Sequence, residues 1–436
     1  MCKRCEKKKK KKRTFTLNIF TLIDLYCIIT SNLKREANLK ISPIKSIRPI
    51  KKHANKIIAL PYDVFDYDEA KNEIEKNRHS FLKVSRSDAT FNNLKDTYDD
   101  SVYQKAKKNL NEMIQNNMLF KDNELSFYLW EITYKNKKQT GFVAGFDQDD
   151  YKKGAIVKHE LTRKEKEQDR IKHIRSVGIQ TGPVMLAYKE PKRLKNVKLK
   201  IKKSKPEYNL RFRSAKHKIW KIKSIYSKDI EDFFKDIEKI YIADGHHRSA
   251  AASKITIKKE YKKIKSKILG VIFDFNELNI YPYHRLLNNK KKIDLENLLI
   301  HLKKYFLIYN SKINYLPEKK GSFGMYFHNK WYKLVPKQKI KDDFSLDVKF
   351  IDHFILKKYF KVQNIRKDSR LNFVGGIHSM RYFKEKIEKG YGIGFTLPAV
   401  TYYHLKKIAD SNKSMPPKST WFEPKLLDGL ISMPII

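Results

Sequence analysis

Asp244-Gly245-His246-His247-Arg248 brings an acid, two imidazoles and a guanidinium together around one glycine. The apolar run Lys239–Ala243 before it predicts a buried strand, and His246 to Ile255, with Ala250, Ala251 and Ala252, predicts a helix. In a strand–turn–helix order, Gly245 suits a backbone with φ > 0 or one that lets a ligand approach closely. The freed N–H groups of a first helical turn attract anions. Arg248 carries a planar fork of donors matched to phosphate oxygens, and His246 and His247 can exchange protons near neutral pH. Asp244 can orient a histidine, bind a metal or act as a base. The plainer alternative is an Asp244 helix cap with one of the adjacent histidines turned elsewhere. The expectation is a corner that holds phosphate through Gly245 and Arg248, with Asp244, His246 and His247 as the catalytic groups.

A second constellation runs from Lys158 to His173. On a helix, Glu160, Arg163, Glu167 and Arg170 are spaced three, four and three apart and share one face. That pattern is equally a solvated ion-pair ladder. At a helix start, however, His159-Glu160 can supply a ligand contact and a general base or metal ligand, with Arg163 one turn later for an anion. Lys418, in the rigid polar loop Met415 to Lys425, can complete a phosphate cradle or belong to a packing clasp. Weaker candidates are Tyr62 and Asp63, Ser85-Arg86, and Gln180 to Pro183. A Walker A loop, GxGxxG, HExxH and GxSxG are all missing.

The elements that must position these groups follow from periodicity. Lys56–Leu60 reads as a strand, and helical spacing follows at Asp68–Lys76. Ser126–Tyr134 and Gly141–Phe146 read as a hairpin turning at Asn136–Lys138, and Met185–Tyr188 as a strand. Lys195–Lys205 is expected to be a mobile loop or exposed edge. Beyond the break at Asn288–Lys292 come a helix near Asp294–Tyr305, a hairpin through Gly324–Phe327 and Trp331–Leu334, a strand ending in Gly375-Gly376, and a strand at Gly392–Leu397. The fold class is α/β with a mixed sheet. An N-terminal domain over residues 41–290 carries the site, and a smaller α/β domain covers 291–436.

Composition bounds the partners. The chain has 95 Lys+Arg against 48 Asp+Glu, a formal net charge of +47. Lysine is spread over nearly every segment and arginine is a minority, which is compositional drift; a nucleic-acid footprint would be a local stripe with placed arginines and aromatics. No specific nucleic-acid partner is expected. Residues 1–40 join the basic run Lys7–Arg13 to the apolar stretch Thr14–Thr30, which Asp24 interrupts. This stretch is short for a bilayer span, so no stable membrane insertion and a cytoplasmic location are expected. Cys2, Cys5 and Cys27 all lie in this extension, without a second pair to complete a zinc site.

The segments ALPYDVFDYDEA, SFLKVSR, KHELTRKEKEQDRIKHI, QTGPVMLAY, YIADGHHRSAAA, NFVGGI and MPPKSTWFEPKL resemble, in order, the family of unknown function DUF1015, from about Ile41 to Leu430. More remotely, the Asp244–Arg248 corner is similar to the phosphate-binding corner of the ParB and sulfiredoxin-like fold, a group that includes nucleotide-dependent serine kinases. The resemblance implies a ParB/sulfiredoxin-like N-terminal domain and a nucleotide or phosphate held by Asp244, His246, His247 and Arg248, with Glu160 as base or metal ligand. Association of the family with serine biosynthesis implies a phosphoserine-like substrate. The expected function is phosphoryl transfer or phosphate-ester hydrolysis on a phosphorylated small molecule, with Mg2+ and a nucleotide as candidate cofactors. The alternative is a non-catalytic regulator that binds the same ligand.

Overall fold

The computed structural model describes residues 39–92, 96–259, 262–288, 293–338, 347–390, 392–411 and 413–435. Most of the expected extension 1–40, with its three cysteines, and residues 289–292 of the expected break lie outside the described residues. The fold is mixed α/β. Among the described residues the larger sheet has nine strands. Its path is Ile156–Val157, Ile240–Asp244, Val184–Tyr188, Ile268–Asp274, Lys137–Phe146, Tyr128–Tyr134, Ala215–Lys221 and Tyr208–Phe212, with Ile41–Ser42 added beside Lys137–Phe146. Ile240–Asp244 runs parallel to Ile156–Val157 and antiparallel to Val184–Tyr188, so it is covered on both edges. This is why its residues up to Ala243 are apolar and buried.

The smaller sheet is antiparallel, in the order Phe306–Ser311, Lys330–Pro336, Phe323–Phe327, Ile393–Thr396, Tyr283–Leu287 and Leu371–Gly375. Tyr283–Leu287 precedes the expected boundary near residue 290 yet is paired into this second sheet. The chain's end returns to the first half: Met433–Pro434 pairs with Ile179–Gln180, and Asp428 bridges Ala59. A continuous buried cluster runs from Trp130 and Tyr208 to Phe323, Met325 and Phe395, so the two sheets share apolar packing.

Three local expectations are corrected. Lys56–Leu60 is not a strand; Ala54–Ile57 forms a helical turn and Ala59 makes a single bridge. Lys195–Lys205 is for the most part not a loop, because Leu194, Val197 and Ile201 fall on one buried face of the helix Lys192–Ile201, joined there by Lys198, which pairs with Glu190. The helix expected from Lys158 begins at Lys164 and runs to Val177, ending where Gly178 takes φ +79°. Glu160 therefore lies in an irregular segment ahead of the helix. The predicted hairpins and the helix Tyr67–Lys76 are present, the latter closed by an Asp66/Glu69 capping box.

Candidate functional site

The strand Ile240–Asp244 ends at a turn whose Gly245 sits at φ +94°, and the helix His246–Ala252 follows. The left-handed backbone excludes most L side chains, and a Cβ here would come within 3.1 Å of Arg248 Nε. Asp244 Oδ2 accepts from Arg248 Nη2 at 3.1 Å, and its Oδ1 from Lys425 Nζ at 2.8 Å. Burial alone would raise the Asp244 carboxyl; Lys425 and Arg248 outweigh it and hold the group below the usual carboxylate range.

Arg248 was expected to hold phosphate, and the structure places it behind the corner. Its side chain leans back over the turn that precedes it, as helical side chains do. Nη1 donates to the Pro183 carbonyl at 2.6 Å, the residue is buried, and it does not line the cavity described below. The guanidinium is held behind the corner between the Pro183 carbonyl and the Asp244 carboxylate.

The histidines divide. His246 is buried with its ring edge-on to His159 at 4.4 Å, and burial followed by His159 keeps its pKa well below the ordinary value. His159 is 1% exposed, lies behind the wall, and is pushed down to about 4 by burial. Burial thus disfavours the charged form of both rings, and His159 does not reach the cavity. His246 and His247 both line the cavity, and His247 is the less buried of the two. Its Nε2 accepts the Arg163 backbone N–H at 3.1 Å, which places the ring proton on Nδ1.

These groups border a cavity of about 550 Å³, within the range of small-molecule pockets. Tyr62, Asp63, Ser85 and Arg86 line one side, the Asp244–His247 corner and the Glu160–Arg163 segment another, and Tyr283, Arg366 and Lys418 come from the second half of the chain. Arg86 grips Asp88 through Nε and Nη2 at 3.0 and 2.9 Å and donates to the carbonyls of Tyr62 and Phe65 at 3.1 and 2.6 Å, fixing that loop. Arg170 is paired with Asp169 at 2.8 Å and lies 4.0 Å over the Tyr62 ring. Both arginines are structural.

The remaining cations are held more lightly: Arg366 Nη1 donates to the Leu161 carbonyl at 3.4 Å, and Lys418 and Lys166 lie over the Tyr283 and Tyr98 rings at 5.4 and 5.7 Å. Among the described residues no carboxylate lies within ion-pair distance of Arg163, Lys166, Arg366 or Lys418, all of which line the cavity. Lys418 sits at φ +53° in a loop whose Pro417 and Lys418 carbonyls accept from the fully buried Arg285 at 3.3 and 2.8 Å. Arg285 is in turn paired with Asp352 at 3.3 Å. Glu160 faces this group. Burial raises its carboxyl above the ordinary range and Asp244 adds to the rise, against the pull of Lys418 and Arg366. Glu167, expected on the same face, instead pairs with Lys254.

Sequence reasoning missed Lys166, Arg366 and Asp428, and assigned Lys425, at the end of the loop Met415 to Lys425, no role of its own. Lys425 had a signal, since it ends the Trp421–Lys425 motif; Arg366 is one basic residue among many. Among the described residues no three His, Cys, Asp or Glu side chains converge to hold a metal ion, so the geometry supplies no ready cage for Mg2+. No helix among them is long and apolar enough to cross a membrane.

Fold and cavity together define a mixed α/β protein with a charged, small-molecule-sized pocket whose walls come from both halves of the chain. The family model described as "Protein of unknown function (DUF1015)" matches residues 41–354, and the chain belongs to that family. Comparison with curated proteins gives no match. Among solved structures, the chain is similar to a free serine kinase variant in complex with ADP at 14% identity and TM-score 0.34, covering 63% of this chain and 88% of the other. A conserved hypothetical protein from Pyrococcus furiosus aligns at 14% identity and TM-score 0.33, covering 63% and 91%. SbnI from Staphylococcus aureus, with a C-terminal truncation, aligns at 9% identity and TM-score 0.35, covering 67% and 87%.

Proposed function

We propose that this protein is an enzyme that binds a phosphorylated small molecule, a nucleotide among its ligands, and transfers or hydrolyses a phosphoryl group. The observation that carries the reading is the meeting of Glu160, a carboxyl raised by burial, with four cations that have no carboxylate partner in one cavity. A raised carboxyl is a better proton acceptor than an ordinary one, and phosphoryl transfer needs little beyond positioning and charge neutralisation. In this reading Arg163, Lys166, Arg366 and Lys418 hold phosphate oxygens. Glu160 takes the proton from the attacking hydroxyl or water as its oxygen bonds to phosphorus and the leaving oxygen departs. His247 donates through Nδ1, and Asp244, kept ionised, fixes the corner.

The test is turnover of phosphoserine, of serine with ATP or ADP, and of a panel of phosphorylated metabolites, each with and without Mg2+. Wild type should turn over at least one substrate, and Glu160→Gln should bind that substrate while losing turnover. Ligand-induced stabilisation without turnover on any substrate would favour the regulator instead. A wild type that neither binds nor converts anything in the panel would refute both.

A further inference from the structure

Asp428 has no place in the chemistry above, yet its surroundings are unusual. The side chain is 1% exposed, and among the described residues neither carboxylate oxygen has a hydrogen bond of good geometry, although the Ser85 hydroxyl lies close enough to lower its pKa. Its backbone is fixed on both sides: its N–H donates to Ala59 at 2.9 Å, its carbonyl accepts from Ala59 at 3.2 Å, and the Gly429 N–H donates to Thr181 at 3.1 Å. Room for the carboxylate exists because Gly182 has no side chain. A methyl there would overlap Asp428 Oδ1 and stand 3.5 Å from Arg248 Nη1, so the carboxylate and the guanidinium crowd the same point. Three residues earlier on the same segment, Lys425 bonds the other side of the corner at Asp244.

We propose that Asp428 is a positioning residue of the cavity: with Lys425 it completes a buried line of four alternating charges, Lys425, Asp244, Arg248 and Asp428, through which the C-terminal segment fixes the Asp244-Gly245 corner. The proposal deepens the reading of the cavity as a ligand site and rests on it for its ligand arm. Lys425 and Asp428 lie beyond residue 354, where the family match ends.

The groups facing Asp428 are Arg248, Asp63, Arg170 and the Ser85 hydroxyl. Burial, with Asp63 adding to it and Arg248 and Arg170 opposing, raises its carboxyl to about 6. The folded chain then takes up this proton more readily than the unfolded one, whose aspartates titrate near ~4. Stability from this group is full at low pH and is lost as pH rises through the interval up to about 6.

The test compares wild type, Asp428→Asn and Gly182→Ala. Asp428→Asn keeps the shape and removes the charge, so its melting temperature should equal or exceed wild type by a few degrees at pH 8, with the gap closing by pH 5. At pH 7, carbethoxylation of His247, read by mass spectrometry, should be several-fold faster in both variants, because the corner has lost a tether. ATP binding should weaken by about tenfold, the worth of one charge-assisted hydrogen bond. If Asp428→Asn melts lower at every pH with unchanged His247 labelling, Asp428 is a packing residue and the proposal fails. If wild type does not bind ATP, the ligand reading is what suffers, and melting and labelling still decide the role of Asp428.

Discussion

Gly245→Ala puts a number on the corner that carries the cavity. At φ +94° an L side chain pays about 1–2 kcal/mol for the left-handed backbone. The added methyl would also stand 3.1, 3.2 and 3.3 Å from Arg248 Nε, Nη2 and Cζ. The guanidinium cannot yield freely, since Pro183 and Asp244 hold it at 2.6 and 3.1 Å. Displacing it forfeits part of a charge-assisted hydrogen bond, itself about 1.5–3 kcal/mol. The expected loss is therefore about 2–4 kcal/mol. Gly154 supplies the control: it lies at φ +83° with nothing within 4 Å of its would-be Cβ, so Gly154→Ala bears the backbone cost alone. Both variants are unfolded in urea at pH 7 beside wild type. If Gly245→Ala loses no more than Gly154→Ala, Arg248 is not clamped behind the corner and the reasoning from contacts is wrong.

Other consequences follow from the same geometry. Glu160→Gln should lower turnover by about 10²–10⁴-fold with the substrate dissociation constant nearly unchanged, measured by steady-state kinetics and calorimetry. Lys418→Ala and Arg366→Ala should each weaken phosphate-ligand binding by about 10–100-fold, and the loss should shrink as salt rises in a titration series. Arg285→Met should reproduce the Lys418→Ala binding defect without touching the ligand, because it releases the Pro417 and Lys418 carbonyls; intact affinity in a folded Arg285→Met would contradict the clamp. Burial raises the Asp347 carboxyl to about 6, so its contribution is present at low pH and lost as pH rises from the ordinary carboxylate range to that value. Asp347→Asn should flatten that part of the melting profile by the equivalent of about 1–3 kcal/mol.

The sequence by itself determined the local grammar of this protein. Four apolar residues before Asp244, a glycine after it and an alanine-rich run beyond could form little other than strand, left-handed turn and helix, since propensity and sterics act over a few residues. The same holds for the hairpin around Lys135 and Asn136 and for the capped helix Tyr67–Lys76. Direction and company were decided elsewhere. Whether Arg248 faces a ligand or Pro183 depends on what packs behind the helix, and the lowered pKa of His246 comes from its burial and then from His159, more than eighty positions away. Glu160 gained its raised carboxyl from burial and from Asp244, more than eighty residues on, against the pull of Lys418, over 250 residues on. Lys425 and Asp428 reach the corner because the chain's end folds back over its first half. Desolvation and Coulomb energy follow distance in space, and a linear chain carries no record of that distance until its sheets have packed.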